Sequence, residues 1–200
     1  MKRKSRILAL SAAAMLVLAE PSRGETPRHE PRYGVTIYAA RISSERTWQH
    51  VIRNPFGADY ADAFLLVGAL SRVWAERREG ALLLEAEMQA AYNFGEQHHW
   101  EFNAAPLVAR WQRFPWNERV ATSAAFGIGL SWSTEVPELE VKLEGDSRQL
   151  LVYWMLELTA GPPRGRWAAS LRLHHRSGGF GLLADDGGMN AIGIGVRYRF

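Results

Sequence analysis

The chain has 200 residues, with 24 Lys and Arg, 21 Asp and Glu, and no cysteine. That length holds one domain, and the missing cysteine excludes a disulfide framework and thiol chemistry. The formal charge of +3 comes from Lys2, Arg3, Lys4 and Arg6, and residues 20–200 hold 20 basic against 21 acidic groups, so no nucleic-acid partner is implied.

The basic start runs into an apolar stretch, residues 7–19, in which Val17 and Ala19 form an A-x-A-like cleavage site. This pattern predicts a secretory signal peptide over residues 1–19, cut after Ala19 or near Gly24. Residues 20–31, rich in proline and charge, read as a flexible segment leading into one domain over 32–200. No stretch of that domain reaches the roughly 18 apolar residues of a membrane helix.

From Tyr33 onward the hydrophobic pattern has period two. It predicts strands at 33–43, 62–75, 80–94, 100–113, 119–133, 149–160, 166–177 and 189–200. Eight strands of this length match the roughly 9–11 residues that a tilted strand needs to cross a bilayer. Connections at 76–80, 114–118 and 161–165 are short, while 44–61, 134–148 and 178–188 are long and 95–99 breaks the alternation. Short turns on one side and long loops on the other are the layout of an outer-membrane barrel.

The two faces of the strands support that class. Ala124, Phe126, Ile128, Leu130 and Trp132 share one face of the fifth strand, with Ser123, Ala125, Gly127, Gly129 and Ser131 on the other. In the third, Leu84, Ala86, Met88 and Tyr92 oppose Glu85, Glu87 and Gln89. In the last, Ile192, Ile194 and Val196 oppose Gly193, Gly195, Arg197 and Arg199. Small residues beside charged ones suit a narrow lumen better than a solvated wall. The fold class expected is therefore all-β, an eight-stranded antiparallel transmembrane β-barrel in the bacterial outer membrane. Its lumen should be filled by a charge network of Glu85, Glu87, Glu101 and Glu157 facing Arg172, Arg197 and Arg199, and should not conduct. Tryptophans at strand ends read as an interfacial girdle.

The stretch "SLRLHHRSGGFG", residues 170–181, ends the seventh strand. Leu171, Leu173, His175 and Ser177 share its lipid face, and His174 points inward. His175 and Ser177, two residues apart on one face, can hydrogen-bond, and histidine can remove the serine proton. The bland reading is a polar strand end that meets headgroups. His98, His99 and Glu101 make a poor metal set, since adjacent histidines face opposite ways. No metal or cofactor is expected.

"HRSGGFG" before a final strand, in an eight-stranded barrel behind a signal peptide, resembles the lipid A 3-O-deacylases. The resemblance implies a serine esterase that hydrolyses the ester-linked acyl chain at position 3 of lipid A, with lipopolysaccharide of the outer leaflet as its partner. Ser177 would be the nucleophile and His175 the base. The family's His-x-Ser-Asn motif has Gly178 here in place of asparagine, and no glutamate begins the last strand. Asn190 has the parity to orient His175, with Asp185 and Asp186 as loop alternatives. The amides of Gly178 and Gly179 could form an oxyanion hole. The ending "VRYRF" resembles the assembly signal of outer-membrane proteins, which makes the barrel assembly machinery a partner through Phe200. The alternative reading is a non-catalytic barrel with a structural or adhesion role.

Overall fold

The computed structural model describes residues 31–200. The expected signal peptide and residues 20–30 lie outside the described residues. Eight strands follow in order: β1 (Tyr33–Ser43), β2 (Tyr60–Arg77), β3 (Leu82–Gly95), β4 (His99–Trp111), β5 (Ala121–Ser133), β6 (Leu150–Gly161), β7 (Trp167–Ser177) and β8 (Gly188–Arg199). Each pairs antiparallel with its neighbours, and β8 closes on β1 from Gly34↔Arg199 to Ser43↔Asn190. The period-two pattern thus located all eight strands to within a few residues.

Three short connections, T1 (78–81), T2 (112–120) and T3 (162–166), lie at the end of the barrel where β1 begins and β8 finishes. The opposite end carries L1 (44–59), L2 (96–98), L3 (134–149) and L4 (178–187). Two helices were not expected: α1 (Trp48–Arg53) in L1 and α2 (Glu138–Glu144) in L3. Each is too short to show a helical period within a loop.

The wall inverts the usual pattern of burial. Phe126, Ile128, Leu171, Ile194 and Val196 are 42–73% exposed, while Glu85, Glu157 and Arg172 are at most 1% exposed. Only a hydrocarbon surrounding suits such an apolar surface over a charged interior. Toward the loop end the side of the lumen formed by β1, β2 and β8 is apolar, with Tyr38, Ile42, Leu65, Val67 and Met189 packed beneath Leu139 of α2.

Parity holds along each strand except at β-bulges. In β4 the register shifts between Ala104 and Leu107. Residues 99, 101, 103 and 105 face inward before it, and 108 and 110 after it. The extra residue re-aims everything that follows.

Candidate active site on the outer wall

Register brings the site together. His175 of β7 lies opposite Asn190 of β8 on one side and Trp154 of β6 on the other. His175 Nδ1 and Asn190 Oδ1 are 2.7 Å apart. The asparagine Nδ2 donates to the carbonyls of Glu45, at 3.1 Å, and Arg46, at 3.2 Å, both in L1. Carbonyl oxygens only accept, so the amide nitrogen must face L1 and the amide oxygen must face the imidazole. His175 therefore carries its proton on Nδ1, and Nε2 keeps a free lone pair.

Aromatic rings fix the imidazole from the side. Trp154 lies against it with centroids 4.4 Å apart, and Trp48 of α1 meets Trp154 edge-on at 5.3 Å. Asn190 is buried and His175 is only 9% exposed. L1 is tied in turn to L3, because the Arg46 guanidinium donates to the Leu143 carbonyl at 2.7 and 3.1 Å. Asp185 and Asp186 are exposed and make no bond to the imidazole.

Ser177 is half-buried on the same strand, and among the described residues no hydrogen bond joins its hydroxyl to His175. L4 turns sharply after it. The Gly178 carbonyl accepts from the Leu183 amide at 2.9 Å. A Cβ at position 178 would lie 2.1 Å from the Ala184 carbonyl oxygen, so no asparagine fits there. Gly179, Phe180 and Gly181 all have positive φ, at 68°, 60° and 84°. That conformation is strained for a phenylalanine, and it leaves Phe180 fully exposed beside Leu182. Neither the Gly178 nor the Gly179 amide nitrogen donates to a backbone carbonyl among the described residues.

Below the histidine, an open groove of about 490 Å³ follows the wall between Leu171, Ile192, Ile194 and Ala39, with Phe64 and Phe56 of L1 also lining it. Ile192 is two residues from Asn190, so the groove begins roughly 7 Å from the His–Asn pair. Arg41 stands at its edge, its Nε donating to the Ala61 carbonyl at 3.1 Å.

The lumen holds a separate chain of ion pairs. Arg110 joins Glu85, at 2.8 Å, to Glu157, at 2.6 Å, and Arg172 joins Glu157, at 2.9 Å, to Glu87, at 2.7 Å. Arg197 meets Glu85 at 3.1 Å. Nearer the loops, His174 bridges Tyr38, at 2.9 Å, and Glu101, at 2.8 Å, while Arg176 reaches Glu140 of α2 at 2.9 Å. Arg199 is a correction: it sits half-buried at the T3 rim, bonds the Gly165 carbonyl and has no acidic partner among the described residues. It is too near the end of β8 to reach the central carboxylates. Strand parity puts Arg176 on the inward face with Arg172 and His174, as found, whereas Arg110 and Glu140 are not legible from it. Pro106, which cannot pair within a central ladder, was the one available sign of the bulge that turns Arg110 inward.

No family model matches this chain, and no curated protein sequence is similar to it. Solved structures are similar in fold. The crystal structure of the outer membrane enzyme PagL has a TM-score of 0.60 at 11% identity, covering 84% of this chain and 99% of that one. The shared fold, the closed eight-stranded topology and the apolar outer wall fit a bacterial outer-membrane barrel. The N-terminal β-barrel domain of Pseudomonas aeruginosa OprF gives 0.47 at 10% identity, over 86% of this chain and 98% of that one. Neisserial surface protein A, NspA, gives 0.49 at 11%, over 84% and 97%. In outer-membrane barrels the short turns are periplasmic and the long loops extracellular. In that layout His175 and Asn190, at the L4 ends of β7 and β8, lie toward the extracellular side of the wall.

Proposed function

We propose that the protein is a lipid A 3-O-deacylase-like serine esterase. The observation that carries this reading is the His175–Asn190 bond, whose geometry leaves Nε2 as a free base two residues before Ser177 on the same face. The resemblance of "HRSGGFG" to the deacylases and the fold shared with an outer membrane enzyme support it.

In this mechanism the substrate draws Ser177 and His175 together, since catalytic hydrogen bonds are often long in empty sites. His175 Nε2 takes the hydroxyl proton as Ser177 Oγ attacks the ester carbonyl at position 3. Amides of Gly178 and Gly179 donate to the oxyanion, and Asn190 Oδ1 holds the imidazolium in place. His175 then gives its proton to the departing sugar oxygen. Water, activated by the same nitrogen, cleaves the acyl-enzyme to release a fatty acid. The groove beginning at Ile192 would hold the acyl chain.

Mass spectrometry of lipid A from cells with and without the protein is the test. The expected result is loss of one 3-linked acyl chain with the native protein and no loss with Ser177→Ala or His175→Ala. If the native protein leaves lipid A unchanged, the barrel is non-catalytic and its role is structural or adhesive.

A further inference from the structure

The two rims of the barrel carry opposite charge. Each periplasmic turn contributes a pair of arginines: Arg77 and Arg78 at T1, Arg113 and Arg119 at T2, Arg164 and Arg166 at T3. Among the described residues of these turns and the strand ends flanking them, the acidic side chains are Glu76, Glu79 and Glu118. Of these six arginines only Arg113 approaches a carboxylate among the described residues, Glu79 at 3.9 Å. The extracellular loops are the reverse, with Glu135, Glu138, Asp185 and Asp186 among an acidic majority. The balanced composition of the domain hides this polarity.

The periplasmic arginines are interleaved with an aromatic girdle. Trp167, Tyr198, Phe200 and Tyr33 run ring to ring along the outer wall, with centroids 4.5, 6.0 and 5.8 Å apart. Arg72 of β2 lies over the Tyr33 ring, 5.8 Å from its centroid. Trp116 and Phe114 stack within T2, between Arg113 and Arg119. Such rings mark the headgroup level of a bilayer, so the guanidinium groups lie where phosphates begin. Guanidinium matches phosphate geometry through paired donors, and its weak hydration favours an interface.

We propose that this arginine rim binds anionic phospholipid headgroups of the periplasmic leaflet. A soluble anion or a wall polymer would gain from the charge, but would not explain arginines set among membrane-level aromatics. Lipid headgroups use both features at once. The rim would anchor the barrel to one leaflet by chemistry that its extracellular end lacks.

The test is lipid selectivity, read with spin-labelled phosphatidylglycerol and phosphatidylcholine around the full chain refolded in phosphatidylcholine bilayers. The expected result is a several-fold higher association for phosphatidylglycerol, weakened by salt as for exposed charges. Three variants, one per turn (Arg77→Gln with Arg78→Gln, Arg113→Gln with Arg119→Gln, Arg164→Gln with Arg166→Gln), should each reduce it, and Arg46→Gln with Arg53→Gln should not. Heat-modifiable migration confirms that each variant has folded. Equal association of both labels overturns the proposal, as does a preference that survives all three variants or depends on Arg46 and Arg53. Sedimentation with isolated peptidoglycan, in the absence of any phosphatidylglycerol preference, would assign the rim to the wall polymer instead and also overturn it.

Discussion

Asn190 joins His175 to L1 through opposite ends of one amide: Oδ1 accepts from the imidazole while Nδ2 donates to two loop carbonyls. A carboxylate in its place could do the first but not the second, since its oxygens would face the oxygens of Glu45 and Arg46. The chemistry explains why an amide serves here. Asn190→Ala should lower kcat about tenfold to a hundredfold, the worth of a bond to a group that becomes charged, roughly 1.5–3 kcal/mol. Asn190→Asp should lower activity as well, by loosening L1 from the wall. Faster deacylation by the Asn190→Asp variant than by the native protein would overturn this account.

Gly178 bears on the same site through space alone. Because a Cβ there would meet the Ala184 carbonyl at 2.1 Å, Gly178→Asn should displace L4 and reduce deacylation, although it installs the residue of the family motif. The cost of such a clash is of the order of 1–3 kcal/mol. Gly181, also at positive φ, has nothing near its Cβ position, so Gly181→Asn should be much milder. Thermal unfolding and lipid A profiles of the two variants separate the cases.

The fold was legible because a two-sided strand records its surroundings in every second residue. Phe126 and Ile128 alternate with glycines, and Glu85 alternates with leucine and alanine, so lipid and lumen are both written in the sequence. His175, Ser177 and Asn190 were placed on one face by the same parity. Arg110 was lost because a bulge resets parity without changing composition. Glu140 was lost because it reaches the lumen from α2, where no strand parity applies. Arg199 was assigned inward by parity alone, which carries no information about depth along the barrel. The three arginine pairs were in view, but only the closed barrel gathers them at one rim.

Arg110 and Arg199 make a sharp comparison of stability. Arg110→Leu leaves Glu85 and Glu157 with fewer partners in a buried network, and removing one member of a buried pair costs roughly 3–5 kcal/mol. Arg199→Leu loses one long bond to the Gly165 carbonyl and should cost about 1 kcal/mol or less. Urea unfolding in bilayers, followed by heat-modifiable migration, measures both. Equal losses would show that depth in the barrel is not what sets the cost.

The same network predicts electrical silence. Ion pairs fill the mid-lumen, and Leu139 and Glu140 of α2 are buried over the extracellular mouth. Planar-bilayer recordings should therefore show no steps of porin size. Regular large steps from the native protein would mean that the ion-paired interior opens in the membrane.

Glu140 makes the seating of α2 dependent on pH. Burial pushes its carboxyl above the ordinary value of 4.5, with Arg176 and Ser147 pulling the other way. A carboxyl raised in the folded state binds its proton more tightly there than in an undocked loop. This contribution to docking is fully present below the ordinary value and is lost as pH rises through the raised one. Hydrogen exchange of the α2 amides, corrected for intrinsic rates, should show weaker protection as pH climbs from 4.5 through that window. Glu140→Gln, neutral throughout, should remove the slope while keeping a polar partner for Arg176. If protection of the native loop rises with pH, the Arg176–Glu140 ion pair outweighs burial, and the carboxylate is the form that holds α2 down.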